Sequence, residues 1–336
     1  MADLYRSVGP PNFIRAYDEA EQELKFNLPP WRLSTASQKL LTVCLYIAIY
    51  LPVLVLFIIT VGGYSIYLIF YIKPLITDID KIPEVYYYHS ESERNASKTK
   101  GWTFFSLITW CVLWILVSHY RALRTNAGEI PKEKEWDLPS EDNSESSNES
   151  TMLIEKRKDG TIRTCARCQH RKPDRTHHCK QCERCNLKMD HHCNWIANCV
   201  GYFNYKYFFL MVFYGALALA IFICTFWETA VVVLNDETSS QFLCLFIVLS
   251  YSLGSMLGIA LLGFVIFHLW LISNNYTTIE FCEKKKEITL ESKISPYKLG
   301  LFDNFKEALG NEPLFWPFPF KYRDADDKGL YFKVNR

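Results

Sequence analysis

Between Cys165 and Cys199, seven of the chain's twelve cysteines and five of its eight histidines fall within 35 positions. Cys165 and Cys168, Cys179 and Cys182, and Cys182 and Cys185 are each separated by two residues, which lets two thiolates on one tight turn reach the same tetrahedral Zn²⁺. A single such pair is weak evidence; three so close together, two of them sharing Cys182, are strong. Closed zinc sites take four N or S ligands each, so two ions are served by six cysteines and two histidines, with one cysteine left over. Counting does not say which. Cys193, however, closes the run Asp190, His191, His192, Cys193, placing a carboxylate, two imidazoles and a thiol in consecutive positions. A free thiol with a pKa of ~8.5 is only a few per cent ionised at neutral pH and needs a base or a nearby positive charge to act as a nucleophile. An imidazole of the run and the neighbouring zinc sites can both help.

The stretch from Cys165 to Gly201 resembles the DHHC protein S-acyltransferases. It carries their pattern at Cys165, Cys168, His178, Cys179, Cys182, Cys185, Asp190, His191, His192, Cys193 and Cys199, with Lys172, Pro173 and Arg175 in the KPDRTHHC stretch that leads to His178. The resemblance implies one structural zinc on Cys165, Cys168, His178 and Cys185 and another on Cys179, Cys182, His192 and Cys199. Cys193 is then the unmetallated nucleophile, His191 the base that takes its proton, and Asp190 the group that holds and polarises His191. It further implies palmitoyl-CoA, or another fatty acyl-CoA, as co-substrate. Lys172 and Arg175 are expected at the CoA phosphates, Trp195 against the thioester or at the membrane interface, and Ala218, with Gly215, Ala216 and Ala220, along an apolar cavity for the chain. Thr277-Thr278-Ile279-Glu280 resembles the family's Thr-Thr-x-Glu motif; a hydroxyl from it, Thr278 by preference, is expected on Asp190, although Thr before Glu also reads as a plain helix cap. Asn304, in GLFDNFKEALG, resembles a C-terminal motif asparagine that satisfies backbone groups. Two departures stand out: Asn126-Ala127-Gly128 where the family has Asp-Pro-Gly, and Asn194 where it commonly has proline.

What positions this cluster is membrane. The chain is 49% hydrophobic and 15% aromatic with a net charge of +1, and its apolar residues are bunched. From Leu40 to Ile72 there is no charged side chain, a run of 33 residues against the ~20 that cross ~30 Å of hydrocarbon. One tilted span at 48–72 is expected, with Pro52 or Gly62-Gly63 as bend points and 40–47 lying at the interface. Further spans read at 102–122, 207–234, where Glu228 is the single interruption, and 241–272, where Gly254-x-x-x-Gly258 offers a face for close helix approach. The fold class is therefore an all-α polytopic membrane protein, four transmembrane helices with a cytosolic cysteine-rich two-zinc domain at 156–206 between the second and third.

Around the spans the sequence divides into a cytosolic tail at 1–39, a lumenal loop at 73–101, a linker at 123–155, a lumenal turn at 235–240 and a cytosolic C-terminal region at 273–336. Residues 156–188 hold eleven Lys and Arg against three acids, which puts the zinc domain on the cytoplasmic side, opposite the Asn95 sequon. The linker's 133–155 portion carries eight acids and serine-rich runs and reads as a solvated spacer, its Asn148 sequon unmodified. Clustered cysteines without a secretory signal in the polar first 39 residues fit metal ligation in a reducing compartment, not a disulfide framework.

These readings point to an integral protein of an endomembrane (Golgi, ER or vacuole) or of the plasma membrane. It moves a long fatty acyl group through Cys193 onto cytosolic cysteines of membrane-associated proteins and has no nucleic-acid partner. The competing reading is a non-catalytic membrane adaptor or a RING-like ubiquitin ligase, since RING domains also cross-brace zinc ligands. A spare thiol beside Asp190 and His191 separates the two.

Overall fold

A computed structural model describes residues 35–77, 90–131, 136, 155–156, 160–284, 295–323 and 327–334. The N-terminal tail before residue 35, most of the acidic linker with Asn148, and residues 78–89 of the loop after the first span lie outside the described residues.

Among the described residues, four helices are long and apolar enough to cross a membrane. The first, α1 (Thr35–Tyr67), runs through Pro52 and both glycines, and its departure from α geometry comes later, in a π-helical turn at Leu68–Ile72 that leads into α2 (Lys73–Ile76). The cause is Pro74, which has no N–H to give the Phe70 carbonyl. Thr229 of the third span donates to that carbonyl instead, at 3.2 Å. In a bilayer a freed backbone group must find such a partner inside the protein.

The second span, α3 (Glu91–Arg124), begins well before Trp102, because Ser90 caps it by accepting from the Glu93 amide at 3.2 Å and two glutamates sit in its first turn. Asn95 is therefore an exposed residue on a helix, not in a loop. The third and fourth spans are α4 (Tyr205–Asn235) and α5 (Gln241–Ser273), joined by a turn in which Ser240 caps α5. At ~1.5 Å per residue each exceeds the ~30 Å hydrocarbon core, so their ends reach past it. Glu228, the interruption in α4, pairs with Lys100 of α3 at 2.7 Å.

The third span is the most buried of the four and passes through two apolar clusters. One gathers Tyr67, Tyr71, Phe222, Phe226 and Ile247; the other gathers Cys111, Ile115, Phe208, Phe209 and Met211 beside Cys193. The small-residue face of α5 is used inside this bundle: a Cβ on Gly254 would sit 2.6 Å from Phe222, and one on Gly258 would sit 2.8 Å from Ile223. Among the described residues between α3 and α4 lie three antiparallel hairpins: β1 (Thr164–Cys165) with β2 (His170–Arg171), β3 (His177–Cys179) with β4 (Arg184–Asn186), and β5 (His191–Cys193) with β6 (Asn198–Val200). After α5 the chain returns as α6 (Thr278–Lys284) and α7 (Leu301–Leu309).

Candidate active site and metal centres

Side chains alternate faces along a strand, so in β3 the neighbours His178 and Cys179 point apart, and in β5 His192 points away from His191 and Cys193. Register completes the pattern. His178 stands opposite Cys185, and His192 stands opposite Cys199. Two groups of four ligand atoms result, Cys165, Cys168, His178 and Cys185 in one and Cys179, Cys182, His192 and Cys199 in the other, with the atoms of each group within 4.8 Å of one another. His178 Nδ1 lies 3.5, 3.2 and 3.9 Å from the sulfurs of Cys165, Cys168 and Cys185. His192 Nδ1 lies 3.5, 3.3 and 3.7 Å from those of Cys179, Cys182 and Cys199. A tetrahedral zinc with bonds of ~2.0–2.3 Å has ligand–ligand edges of roughly 3.5–3.8 Å, so both groups fit that ion. Within each Cys-x-x-Cys turn the Cys168 and Cys182 amides reach back to the first sulfur, and Gln169 and Glu183, which follow, take positive φ (56° and 52°). Asn186 donates to the Cys199 sulfur at 3.4 Å, a contact that orients a ligand and steadies its charge.

Cys193 belongs to neither group. It shares a face of β5 with His191, whose Nδ1 lies 2.7 Å from Asp190 Oδ2. Asp190 is itself buried, and the Thr278 amide and hydroxyl donate to its two oxygens at 2.9 and 2.8 Å. Burial works against the carboxylate, yet the hydrogen bond and charge of His191 and the Thr278 amide hold it below the ordinary range. Burial likewise works against a charged imidazole, but hydrogen bonds to Asp190 and Cys193 push His191 up to about 9. The edge of the His191 ring meets Phe208 at 4.9 Å. A thiol, an imidazole and a carboxylate are thus lined up where Cys193 joins the apolar cluster of α3, α4, α5 and α7, an arrangement suited to covalent catalysis on a lipid-like substrate.

A family model described as DHHC palmitoyltransferase matches residues 158–285. Probable protein S-acyltransferase 12 of Arabidopsis thaliana is 32% identical over 219 residues, covering 64% of this chain and 72% of the relative. The palmitoyltransferase ZDHHC20 of Bos taurus is 38% identical over 167 residues, covering 47% of this chain and 43% of its own. The chain belongs to the DHHC palmitoyltransferase family. The resemblance read from the sequence is borne out, as is the fold class of four apolar helices with a Cys/His metal region between the second and third. The adaptor and RING-ligase reading finds no support.

Within this DHHC site the Thr-Thr-x-Glu stretch does both things its sequence allowed. Thr278 contacts Asp190, while Thr277 caps α6 reciprocally: its hydroxyl accepts from the Glu280 amide at 3.2 Å and its amide donates to Glu280 Oε2 at 2.9 Å. Glu280 then receives Arg175. Here the expectation for Arg175 gives way, because its guanidinium is fully buried and donates to Glu280 at 2.7 and 2.9 Å, to Asn275 at 2.9 and 3.0 Å, and to Glu307 at 3.1 Å. No N–H is left for a CoA phosphate. Lys172 is partly exposed and keeps its candidacy. Trp195 is half exposed. Ala218 is partly buried and packs against both apolar clusters, whereas Ala220 is exposed on the outside of the bundle. Asn304 donates to the Ser273 carbonyl at 2.8 Å and accepts from the Leu299 amide at 3.0 Å, satisfying backbone as expected.

The unusual Asn126 forms the turn all the same, accepting from the Gly128 amide at 2.9 Å, which an aspartate would also do. The stretch LFWPFPF at 314–320 packs on the spans: Phe318 meets Trp110 and Trp114 at 6.2 and 5.6 Å, and the Pro317 carbonyl accepts from Tyr214 at 2.6 Å. Sequence reading missed Asn275, whose φ of 50° and side chain join Arg175 to Glu307, and it missed Lys188 and Glu307 themselves. A paired asparagine at 274–275 just before the threonines was the available signal.

Proposed function

We propose that Cys193 carries the palmitoyl group that this protein S-acyltransferase moves from acyl-CoA to cysteines of membrane-associated proteins. The observation that carries the reading is the thiol left outside two complete four-ligand groups and aligned with His191 and Asp190. In the first step His191 takes the Cys193 proton, the sulfur attacks the thioester carbonyl, and the carbon–sulfur bond to CoA breaks as His191 returns the proton to the departing CoA thiolate. In the second, His191 takes the proton of the protein thiol, which attacks the acyl-Cys193 carbonyl and releases Cys193 as the thiol. Asp190 stays ionised throughout and keeps His191 oriented by its Nδ1. Zinc bound at Cys165, Cys168, His178 and Cys185 and at Cys179, Cys182, His192 and Cys199 would cross-brace the hairpins with filled coordination shells.

The acyl chain lies among the spans beside Ala218, and the CoA headgroup lies on the zinc-domain side near Lys172. The basic 156–188 stretch supports a cytosolic site in an endomembrane or the plasma membrane, with Asn95 on the opposite side. Purified protein incubated with radiolabelled palmitoyl-CoA tests the reading. Hydroxylamine-sensitive label is expected on the wild type and none on Cys193→Ser; equal labelling of both would overturn it.

A further inference from the structure

The loop that follows the candidate nucleophile is held from outside itself. Cys193 pairs with Asn198 as the last rung of the β5–β6 hairpin, and residues 194–197 close it through a 3₁₀ turn at Asn194–Ile196. Inside the loop the Ala197 amide donates to the Asn194 carbonyl at 3.2 Å, and Ala197 takes φ 44°, a left-handed conformation that costs a non-glycine residue ~1 kcal/mol or more. Such a loop keeps its shape only if its surroundings impose it.

Three contacts do, and α3 supplies two of them. Ile196 is fully buried in the apolar cluster next to Cys193. Asn198 donates to the Ala122 and Thr125 carbonyls at the end of α3, at 3.2 and 2.8 Å. On the same face of that helix, three residues before Ala122, the buried His119 places Nε2 3.0 Å from the Trp195 carbonyl oxygen. A carbonyl only accepts, so Nε2 carries the proton.

We infer that His119 is a positioning residue for the acyl-transfer step: its Nε2–H fixes the Trp195 carbonyl and thereby seats the Cys193 sulfur against His191 at the C-terminal end of α3. This inference rests on Cys193 being the acylated thiol. Attack on a thioester carbonyl requires the reacting atoms ~3–3.5 Å apart and aligned, and a displacement of ~1 Å can cost up to ~10²-fold. A loop released at Trp195 swings about Cys193, whereas the CoA-binding surface and both metal groups stay as they are. The effect therefore falls on turnover and spares substrate affinity.

Glutamine puts an amide N–H where Nε2 stands, asparagine puts one only where Nδ1 stands, and leucine fills the volume with no donor. In purified full-length protein, His119→Leu is expected to slow self-acylation at saturating palmitoyl-CoA about tenfold, with the half-saturating concentration changed less than about twofold. His119→Gln is expected to recover the rate to within about threefold of wild type, and His119→Asn to stay near the leucine value. All three keep two zinc ions per chain. A leucine variant that acylates at the wild-type rate, an asparagine variant that recovers as well as glutamine, or a leucine variant that loses zinc would each overturn the assignment. Failure of the nucleophile reading looks different, as label that survives Cys193→Ser.

Discussion

Thr278 grips Asp190 twice, its amide on one carboxylate oxygen at 2.9 Å and its hydroxyl on the other at 2.8 Å, while His191 occupies that second oxygen at 2.7 Å. The C-terminal region thereby reaches back across the chain and fixes the carboxylate that orients His191. Thr278→Val keeps the shape and removes the hydroxyl donor, leaving a buried carboxylate oxygen short of a partner. Self-acylation is expected to fall about tenfold, and Thr278→Ser to remain within about twofold of wild type. Initial rates of labelled palmitoyl-CoA incorporation check this; a valine variant at full rate would remove Thr278 from the account.

Metal content separates the cysteines by role. Zinc binding is coupled to folding, so Cys165→Ser or Cys199→Ser takes away a ligand and destabilises the hairpins it braces. Elemental analysis is expected to give two zinc ions per chain for the wild type and for Cys193→Ser, and fewer for the other two. Loss of zinc from Cys193→Ser would place that sulfur in a coordination shell and end its role as nucleophile.

How much of this was legible in advance depends on the range of the interaction. The metal cluster, the nucleophile run and the spans are written in local spacing and in apolar runs, whereas the division of ligands between two ions and the separate roles of His191 and His192 came from the family resemblance; in the structure the alternation of β5 turns His192 away from His191. Arg175 could not be read that way. Its partners Asn275, Glu280 and Glu307 lie 100 or more residues onward, and nothing in the KPDR stretch says whether an arginine faces solvent phosphate or a buried carboxylate. The length of α3 was hidden for another reason: the polar residues between Glu91 and Trp102 lack hydropathy, and only the Ser90 and Glu93 pair marks a helix start there.

Arg175 and Lys172 now make opposite predictions. Breaking a buried ion pair by removing one partner costs ~3–5 kcal/mol, so Arg175→Ala is expected to lower the unfolding temperature of the detergent-solubilised protein markedly. Lys172→Ala is expected to leave unfolding unchanged and to raise the concentration of palmitoyl-CoA needed for half-maximal labelling. Steady-state labelling at a series of acyl-CoA concentrations, beside thermal unfolding, distinguishes them. An Arg175→Ala protein that unfolds like wild type but binds acyl-CoA poorly would return that arginine to the cofactor surface.

Ala218 sits where the two apolar clusters of the bundle meet, directly along the span that leads away from Cys193. If the acyl chain lies there, as proposed, an indole at that position shortens the room for it. Ala218→Trp is expected to shift preference from sixteen-carbon toward shorter acyl-CoAs, read by competition among labelled chain lengths. An unchanged preference would place the chain elsewhere in the bundle.

Glu307 gives the fold an acid limit. Burial opposes its ionisation, but Lys188 at 2.6 Å and Arg175 at 3.1 Å hold its carboxyl down to about 2 against an ordinary 4.5, with Asn275 on the other oxygen at 2.6 Å. A carboxyl depressed on folding stabilises the native state above its unfolded pKa, and that contribution is lost as pH falls through the folded one. The window is therefore about pH 4.5 down to 2. Lys188 does not enter it: burial lowers that amine to about 8, and its proton stays on throughout the acid range. Thiolate ligands also release zinc in acid, so the informative quantity is a difference between two proteins. Glu307→Gln is expected to be less stable than wild type at neutral pH, with the gap narrowing between pH 4.5 and 2 as the wild-type carboxyl takes up its proton. Unfolding temperatures of both proteins across that range check it; a gap that stays constant would show that the Glu307 charge contributes nothing to holding α7 on the zinc domain.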